Sequence, residues 1–260
     1  MNKGYKSTPL TFNRQAVRAS ASVTRQKNTI HGFTEVDISE PRRIMKEHYE
    51  KTGEKLSLTA YIVTCLARVL QEYPQFNSFI RRRRLILLDD VTVSVLVERE
   101  LSGETVPEPF AIKQAQLKTF HQIQDELKEA RKQPGNRLGN LGDLDWFRFI
   151  PGFLLRTFVR IADKNIKMAI RYGKIAVTAI GMFSKEPLWF IPHGSATVLV
   201  TVGSIGSKAV ETDGNLVCRE HLCLTVSFDH DIVDGAPAAR FMNQFIETLK
   251  SGKLLAPQSF

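Results

Sequence analysis

The second half of the chain alternates between apolar and polar residues in a way that predicts β-strands. Residues 196–203 and 222–228 alternate with a period of two, as half-buried strands do. Residues 174–183 form a mostly apolar run that ends in a glycine turn, which is typical of a buried strand. The Thr-Asp-Gly-Asn sequence at 212–215 is a hairpin turn signal. This region therefore predicts a succession of strands, the last of them reached through a hairpin.

The first half of the chain mixes helix and strand signals. Residues 32–38 alternate like a strand, and Ser39 followed by Pro41 is a helix start signal. Apolar residues then recur at intervals of three and four over residues 57–70, so this helix has a wide apolar face that must pack on a sheet. The other predictions are strands at 85–88 and 91–97 with a turn at 89–90, a break at 103–109, and an amphipathic helix at 117–127 that stops at 132–135.

Residues 143–172 predict an aromatic, basic amphipathic helix. Phe and Ile residues alternate there with Arg and Lys residues. Such a helix can lie on a membrane surface, or it can pack on its own core or on a neighbouring subunit. We favour packing, because amphipathic helices in globular chains usually bury their apolar side within their own protein.

Length and composition allow one large domain or two small ones, and one is the simpler interpretation. With 260 residues and 43% hydrophobic content, the chain can bury a substantial core. No window is apolar enough to span a membrane, and residues 1–18 lack the apolar core of a signal peptide, so we expect a cytoplasmic protein. Neither the glycine fingerprint of a dinucleotide fold nor a phosphate loop is present. An α+β sandwich, with helices layered on a mixed sheet, fits these elements best.

The cysteines do not indicate a metal or disulfide site. Cys65, Cys218 and Cys223 are too few and too irregularly spaced for a four-ligand metal site or a disulfide framework. We therefore expect packing residues and no bound metal.

The positive charge of the chain favours partners that carry negative charge. A net charge of +9 is compatible with nucleic acid, an anionic membrane or a phosphorylated small molecule. The densest run, residues 81–84, consists of four arginines and is interpreted as a solvated loop. Because neither aromatic interleaving nor zinc-finger spacing accompanies it, we expect no nucleic-acid partner.

The candidate chemistry lies at residue 230. His230 follows the predicted strand at 222–228 and precedes a helical pattern at 241–250, so it lies on a short loop that Asp234 and Gly235 close. An imidazole there can accept a proton while a carboxylate four residues later anchors it. The pair alone is more typical of a histidine that only tightens a turn.

The full string decides between these interpretations. Residues 227–240, Ser-Phe-Asp-His-Asp-Ile-Val-Asp-Gly-Ala-Pro-Ala-Ala-Arg, resemble the active-site signature of the dihydrolipoamide acyltransferases of 2-oxoacid dehydrogenase complexes and, more distantly, of chloramphenicol acetyltransferases. A weaker resemblance extends over residues 14–250. It implies a chloramphenicol-acetyltransferase-like two-layer sandwich and a trimer with each active site at a subunit interface. It also implies that His230 is the general base.

The resemblance assigns further residues. Thr178 falls where the family has a serine or threonine before a glycine turn, which implies an oxyanion donor. The family pairs its signature aspartate, here Asp234, with an N-terminal arginine, and Arg14 or Arg18 can fill that place. Asp231 stands where the family usually has arginine, and His193 lies near a usual asparagine.

Domain organisation and function follow from the same resemblance. We expect a basic arm at 1–28, a catalytic domain at 29–252 with residues 143–172 as an insertion, and a tail at 253–260. The lipoyl and peripheral-subunit-binding domains of full-length family members are not found, so any lipoyl carrier is expected in trans.

The expected activity is acyl transfer between coenzyme A and a thiol such as dihydrolipoamide. Two alternatives stay open: transfer to a small-molecule amine or hydroxyl, and a non-catalytic oligomeric scaffold. Membrane association is not expected.

Overall fold

The computed structural model describes residues 4–101, 104–132, 152–181, 184, 186–212 and 214–255. In chain order the helices and strands are α1 (Phe12–Thr24), β1 (Thr29–Asp37), α2 (Ser39–Thr52), α3 (Leu58–Leu70), β2 (Ser78–Arg81), β3 (Arg84–Leu87), β4 (Val93–Leu101), β5 (Glu104–Ile112), α4 (Phe120–Lys132), α5 (Gly152–Asp163), α6 (Ile166–Tyr172), β6 (Ile175–Ala179), β7 (Val198–Thr212), β8 (Asn215–Asp229) and α7 (Gly235–Ser251).

A six-stranded mixed sheet in the order β1-β8-β7-β6-β4-β5 forms the centre of the fold. Strand β6 runs parallel to both of its neighbours, whereas the other neighbouring pairs are antiparallel. A separate two-stranded sheet pairs β2 with β3. Strands and helices segregate into layers, which confirms the α+β sandwich predicted from the sequence.

One face of the sheet packs on helices, and strand alternation decides which residues point there. Val198, Val200 and Val202 of β7 lie in the main core, as do Leu222, Leu224, Val226 and Phe228 of β8. Helices α3 and α7 pack on each other in this layer, and α7 also packs on β1. The residues between them in sequence, such as Thr201 and Thr225, belong to the opposite face.

An aromatic cluster anchors the end of the sheet at which β8 meets α7. The ring centroids of Phe76 and Phe241 are 5.0 Å apart, and each lies 5.8 Å from the centroid of Phe228. All three side chains are buried. Phe228 precedes the loop that contains His230 and Phe241 follows it, so both ends of this loop rest on a rigid core.

The predicted break at 103–109 is wrong, because these residues enter an edge strand. Strand β5 pairs antiparallel with β4 and contains Pro107 and Pro109. These two prolines are two positions apart, so their nitrogens face the same side of the strand. Since β5 is at the edge of the sheet, its outer side has no partner strand that needs an N–H donor.

The arginine run is exposed, as expected, but it forms a hairpin. Arg81 ends β2, Arg84 begins β3, and the turn between them holds Arg82 at a φ of 57°. Strand β3 therefore pairs with β2, whereas its neighbour in sequence, β4, joins the main sheet.

The insertion and the C-terminus also differ from expectation. Within the predicted helix of residues 143–172, the structure has α5 and α6, and Asn165 caps the second of them. Residues 143–151 lie outside the described residues, as do 182 and 183 of the predicted strand. Leu255, placed in a C-terminal tail by the sequence, packs in the main core.

Candidate active site

The loop from His230 to Asp234 connects β8 to α7 and is held by backbone hydrogen bonds. The amides of Ile232 and Val233 both donate to the carbonyl of Asp229, at 3.0 Å. The amide of His230 donates to the carbonyl of Asn28, at 2.6 Å, which extends the pairing of β8 with β1 by one residue. The position of the His230 backbone is therefore fixed by the sheet.

The imidazole of His230 has a defined tautomer. Its Nδ1 lies 3.0 Å from the carbonyl oxygen of Val233. A carbonyl oxygen only accepts hydrogen bonds, so Nδ1 carries the proton of the neutral ring and Nε2 keeps its lone pair. The side chain is 43% exposed. This arrangement leaves Nε2 able to accept a proton from a bound molecule.

Asp234 lies beside the imidazole at the first turn of α7. Its Oδ1 is 3.8 Å from Nδ1 of His230, and its side chain is 86% exposed. A carboxylate at a helix N-terminus is favoured by the helix dipole. Among the ion pairs of the described residues, Asp234 pairs with His230, and neither Arg14 nor Arg18 of α1 reaches it. The expected arginine pair is therefore not made within a single described chain.

A buried ion pair that the sequence did not reveal holds the residue before His230. Lys27 Nζ is 2.7 Å from Asp229 Oδ2 and also donates to the carbonyl of Ser195 at 2.7 Å. Both charged side chains are largely buried. Lys27 and Asp229 are 202 residues apart in sequence, so no local pattern could have identified the pair.

Removal of the Lys27 charge should destabilise the fold. We expect Lys27→Met to lower the free energy of unfolding by about 3 kcal/mol, because it leaves the carboxylate of Asp229 buried without its cation. The change is measured by urea unfolding. Lys250→Met, which breaks an exposed pair with Glu247, is the matched control and should cost less than about 0.5 kcal/mol. Equal costs for the two variants would contradict the structural role of Lys27.

Thr178 lies on the sheet face opposite the helices, in a row of three threonines. It is in register with Thr201 of β7, which is in register with Thr225 of β8. The hydroxyls of Thr201 and Thr225 are buried and have no hydrogen-bond partner in the part of the chain that the structure describes. The hydroxyl of Thr178 likewise has no partner among these residues, and it is at the end of the row, on the shortest strand of the six-stranded sheet. It is therefore free to donate to a bound molecule.

Thr178 and His230 are not brought together within one chain. His230 is five residues further along the sheet than Thr225, which is level with Thr178. At about 3.3 Å per residue, this places the two about 17 Å apart along the strands, with roughly 10 Å more across two strand spacings. Neither side chain is long enough to bridge that distance.

Two further histidines lie near the same face of the sheet. Nδ1 of His31 is 2.8 Å from the hydroxyl of the buried Ser227, its partner in the register of β1 and β8. Burial lowers the pKa of His31, and the nearby His193 lowers it further. The neutral form of His31 is therefore favoured. The sequence placed His193 near a usual asparagine of the family, and only the fold brings it near His31.

A match to a family model shows the family of the chain. The model of the 2-oxoacid dehydrogenases acyltransferase (catalytic domain) matches residues 2–143 and 161–256. The chain belongs to this family. Its candidate site residues all lie within the matched ranges, whereas residues 144–160 are left unmatched.

Curated relatives of this acyltransferase family cover nearly the whole chain. The lipoamide acyltransferase component of a branched-chain alpha-keto acid dehydrogenase complex from Bacillus subtilis is 27% identical over 256 residues, which is 95% of this chain and 53% of that protein. A dihydrolipoyllysine-residue acetyltransferase component of a pyruvate dehydrogenase complex from Haemophilus influenzae is 26% identical over 81% of this chain and 33% of its own length. The chain thus spans about half the length, or less, of these relatives.

Solved structures share the fold of this acyltransferase-family domain. A probable dihydrolipoamide acetyltransferase from Listeria monocytogenes superposes with a TM-score of 0.72 at 21% identity, over 99% of this chain and 98% of that one. The cubic core of a pyruvate dehydrogenase multienzyme complex gives 0.71 at 19% identity, over 98% of this chain and 96% of that one. These matches confirm the two-layer α+β fold.

The family's usual arginine after the histidine is replaced here by Asp231, and the structure gives Asp231 a partner. Its Oδ1 accepts a hydrogen bond from Nδ2 of Asn28 at 2.8 Å. Asp229, His230 and Asp231 are thus each tied to Lys27 or Asn28. The segment before β1 therefore orients the loop in this acyltransferase domain.

The described residues offer neither a metal site nor a membrane span. No group of three or more His, Cys, Asp or Glu side chains among them could hold a metal ion. None of the described helices is long and apolar enough to cross a membrane.

Proposed function

We propose that the chain catalyses acyl transfer between coenzyme A and the thiol of a dihydrolipoyl group. The observation that carries this proposal is the His230 ring, held by Val233 with Nε2 unprotonated in the neutral tautomer. Family membership supports it, as do the relatives, which are named as lipoamide and dihydrolipoyllysine acyltransferase components.

The chemistry needs a base, because a thiol is mostly protonated at neutral pH. His230 Nε2 takes the proton from the attacking thiol, and the resulting thiolate adds to the thioester carbonyl. The hydroxyl of Thr178 donates a hydrogen bond to the oxyanion of the tetrahedral intermediate. When the intermediate collapses, the carbon–sulfur bond of the original thioester breaks. His230 then returns its proton to the departing thiolate.

The neighbours of His230 position it. The carboxylate of Asp234 lies beside the ring, with its Oδ1 3.8 Å from Nδ1. Lys27 and Asn28 hold the residues on either side of His230. These residues touch the loop and not the substrate.

We further propose that each site is completed by a second copy of the chain in a homotrimer. The separation of Thr178 from His230 within one chain supports this, since both must contact the same thioester. A cyclic trimer presents the same two surfaces at every interface, so it forms three equivalent sites. One relative in structure is itself the core of a multienzyme complex. A lipoyl group would then reach the site from a carrier polypeptide.

The direct test is acyl transfer from a panel of acyl-CoA donors to dihydrolipoamide. Formation of the acyl-dihydrolipoamide thioester by the wild-type chain supports the proposal. Small-molecule amines and alcohols are offered as acceptors in parallel. Transfer to these acceptors alone would contradict the lipoyl assignment, and transfer to no acceptor would contradict the enzyme. We expect the reaction to take place in the cytoplasm, where coenzyme A is available.

Mixing two inactive variants tests the shared site. In trimers co-assembled from equal amounts of His230→Ala and Thr178→Val chains, about a quarter of the sites pair an intact His230 with an intact Thr178. We therefore expect about a quarter of wild-type activity. Activity no higher than the sum of the separate variants would show that the site lies within one chain, while wild-type activity would still support the reaction.

A further inference from the structure

Helix α5 carries an exposed apolar stripe. Leu154, Phe158 and Ile161 are 48%, 62% and 64% exposed. They recur at intervals of four and three residues, so they share one side of the helix. Ile170 of the following helix α6 is also exposed. Clustered apolar side chains of this size are costly to leave in water and usually mark an interaction surface.

The stripe is not the side by which α5 packs on its own chain. Leu155 is buried, and α5 contacts α1. Asp163, at the end of α5, forms a buried ion pair with Lys174 at 2.8 Å. Within one chain the helix is therefore only partly packed, and packing of the rest on a neighbouring subunit stays a prediction. The helix has a packed side, and the stripe is a second apolar surface beside it.

The surroundings of the stripe are strongly basic. Between residues 152 and 172 the exposed cations are Arg156, Arg160, Lys164, Lys167 and Arg171. The sole acidic residue of this stretch is Asp163, which Lys174 neutralises. Arg156 and Arg160 of α5 are four residues apart and share the side of the helix that faces away from the stripe. The helix thus has an apolar strip on one side and uncompensated positive charge on the other.

Part of this surface lies outside the residues that the family model matches. Leu154, Phe158, Arg156 and Arg160 all lie in residues 144–160, which the family model does not match. Membership of the family therefore does not by itself account for these four residues.

We propose that α5 binds the surface of an anionic membrane. A helix with an apolar strip on one side and arginines on the other fits the boundary between lipid headgroups and acyl chains. The cytoplasmic leaflet supplies the complementary negative charge. A two-fold contact with a second copy of the chain fits less well, because the same cations would face each other across it. In a trimer, three copies of α5 could contact the same membrane, and the avidity would exceed the affinity of a single copy.

Vesicle binding of the full-length chain tests this surface independently of its catalytic activity. The chain is sedimented with phosphatidylcholine vesicles and with vesicles that contain about 30% phosphatidylserine. We expect binding to the anionic vesicles that falls in about 0.5 M salt, and little binding to the neutral ones.

Paired variants separate the apolar and the basic contributions. Leu154→Gln/Phe158→Ser and Arg156→Gln/Arg160→Gln should each weaken binding about tenfold. Leu216→Gln is the matched control, because Leu216 is 78% exposed at the far end of β8. Its binding should be unchanged. Circular dichroism verifies that each variant is folded.

Three outcomes would overturn the proposal. They are absence of binding to anionic vesicles, equal binding to both kinds of vesicle, and unchanged binding by both double variants. If the wild type binds no vesicle and Leu154→Gln/Phe158→Ser reduces the oligomer size, the stripe joins protein copies and the membrane assignment is wrong.

Discussion

Replacement of His230 by alanine should lower kcat for acyl transfer from acetyl-CoA to dihydrolipoamide by about 1,000-fold. The variant lacks the Nε2 atom that accepts the thiol proton, so the nucleophile stays protonated. The loop itself should persist, because its amides bond to Asp229 and Asn28 through the backbone. The substrate contacts made by other residues remain, so KM should change much less than kcat.

The matched control for this variant is His121→Ala. His121 is a histidine of α4 that packs near Phe120 and His48, away from the loop. Its replacement should leave kcat within about twofold of wild type, because a side chain remote from the reacting atoms makes no contact with the transition state. A kcat for His230→Ala within about tenfold of wild type would remove the assignment of His230 as general base.

Replacement of Thr178 by valine should lower kcat about 100-fold, with little change in KM. Valine has nearly the same shape and the same strand preference as threonine, so the strand is kept and only the hydroxyl is lost. The lost hydrogen bond is made to charge that develops in the transition state, and the effect therefore falls on kcat. The rates are measured in the same assay as for His230→Ala.

Two further variants make this result specific to the Thr178 hydroxyl. Thr178→Ser keeps a donor and should recover most of the rate. Thr201→Val makes the same change on the adjacent strand, at a buried hydroxyl that has no partner in the described region. It should leave kcat within about threefold of wild type, since it removes a polar group that gains nothing from the fold. Equal losses for Thr178→Val and Thr201→Val would show a packing effect instead of oxyanion stabilisation.

Local sequence patterns predicted most of the sheet and the helices that cover it. The period-two alternation over 196–203 and 222–228 corresponds to β7 and β8, and the apolar repeat over 57–70 corresponds to α3. These patterns work because alternation is the direct consequence of burying one face of a strand or helix. The two prolines of β5 are unusual in a strand, so the sequence pattern did not predict this strand. They are tolerated because an edge position accepts residues that a central strand does not.

The contacts around the site could not be predicted in the same way. Lys27 lies in a polar, basic lead whose residues have no periodic pattern, and its partner Asp229 is 202 residues away. The stripe on α5 was recognised as apolar, but periodicity does not tell which part of an apolar helix remains uncovered.

The sequence by itself determined the chemical groups: an imidazole on a tight strand-to-helix turn, a carboxylate four residues later, and a threonine before a glycine turn. These are local features, and a turn of a few residues encodes them. The tertiary structure alone decided that Nδ1 of His230 is held by Val233 and that Thr178 is too far from His230 to act in the same chain. Strand order and direction set that distance, and they follow from pairings between residues distant in sequence, which no local pattern contains.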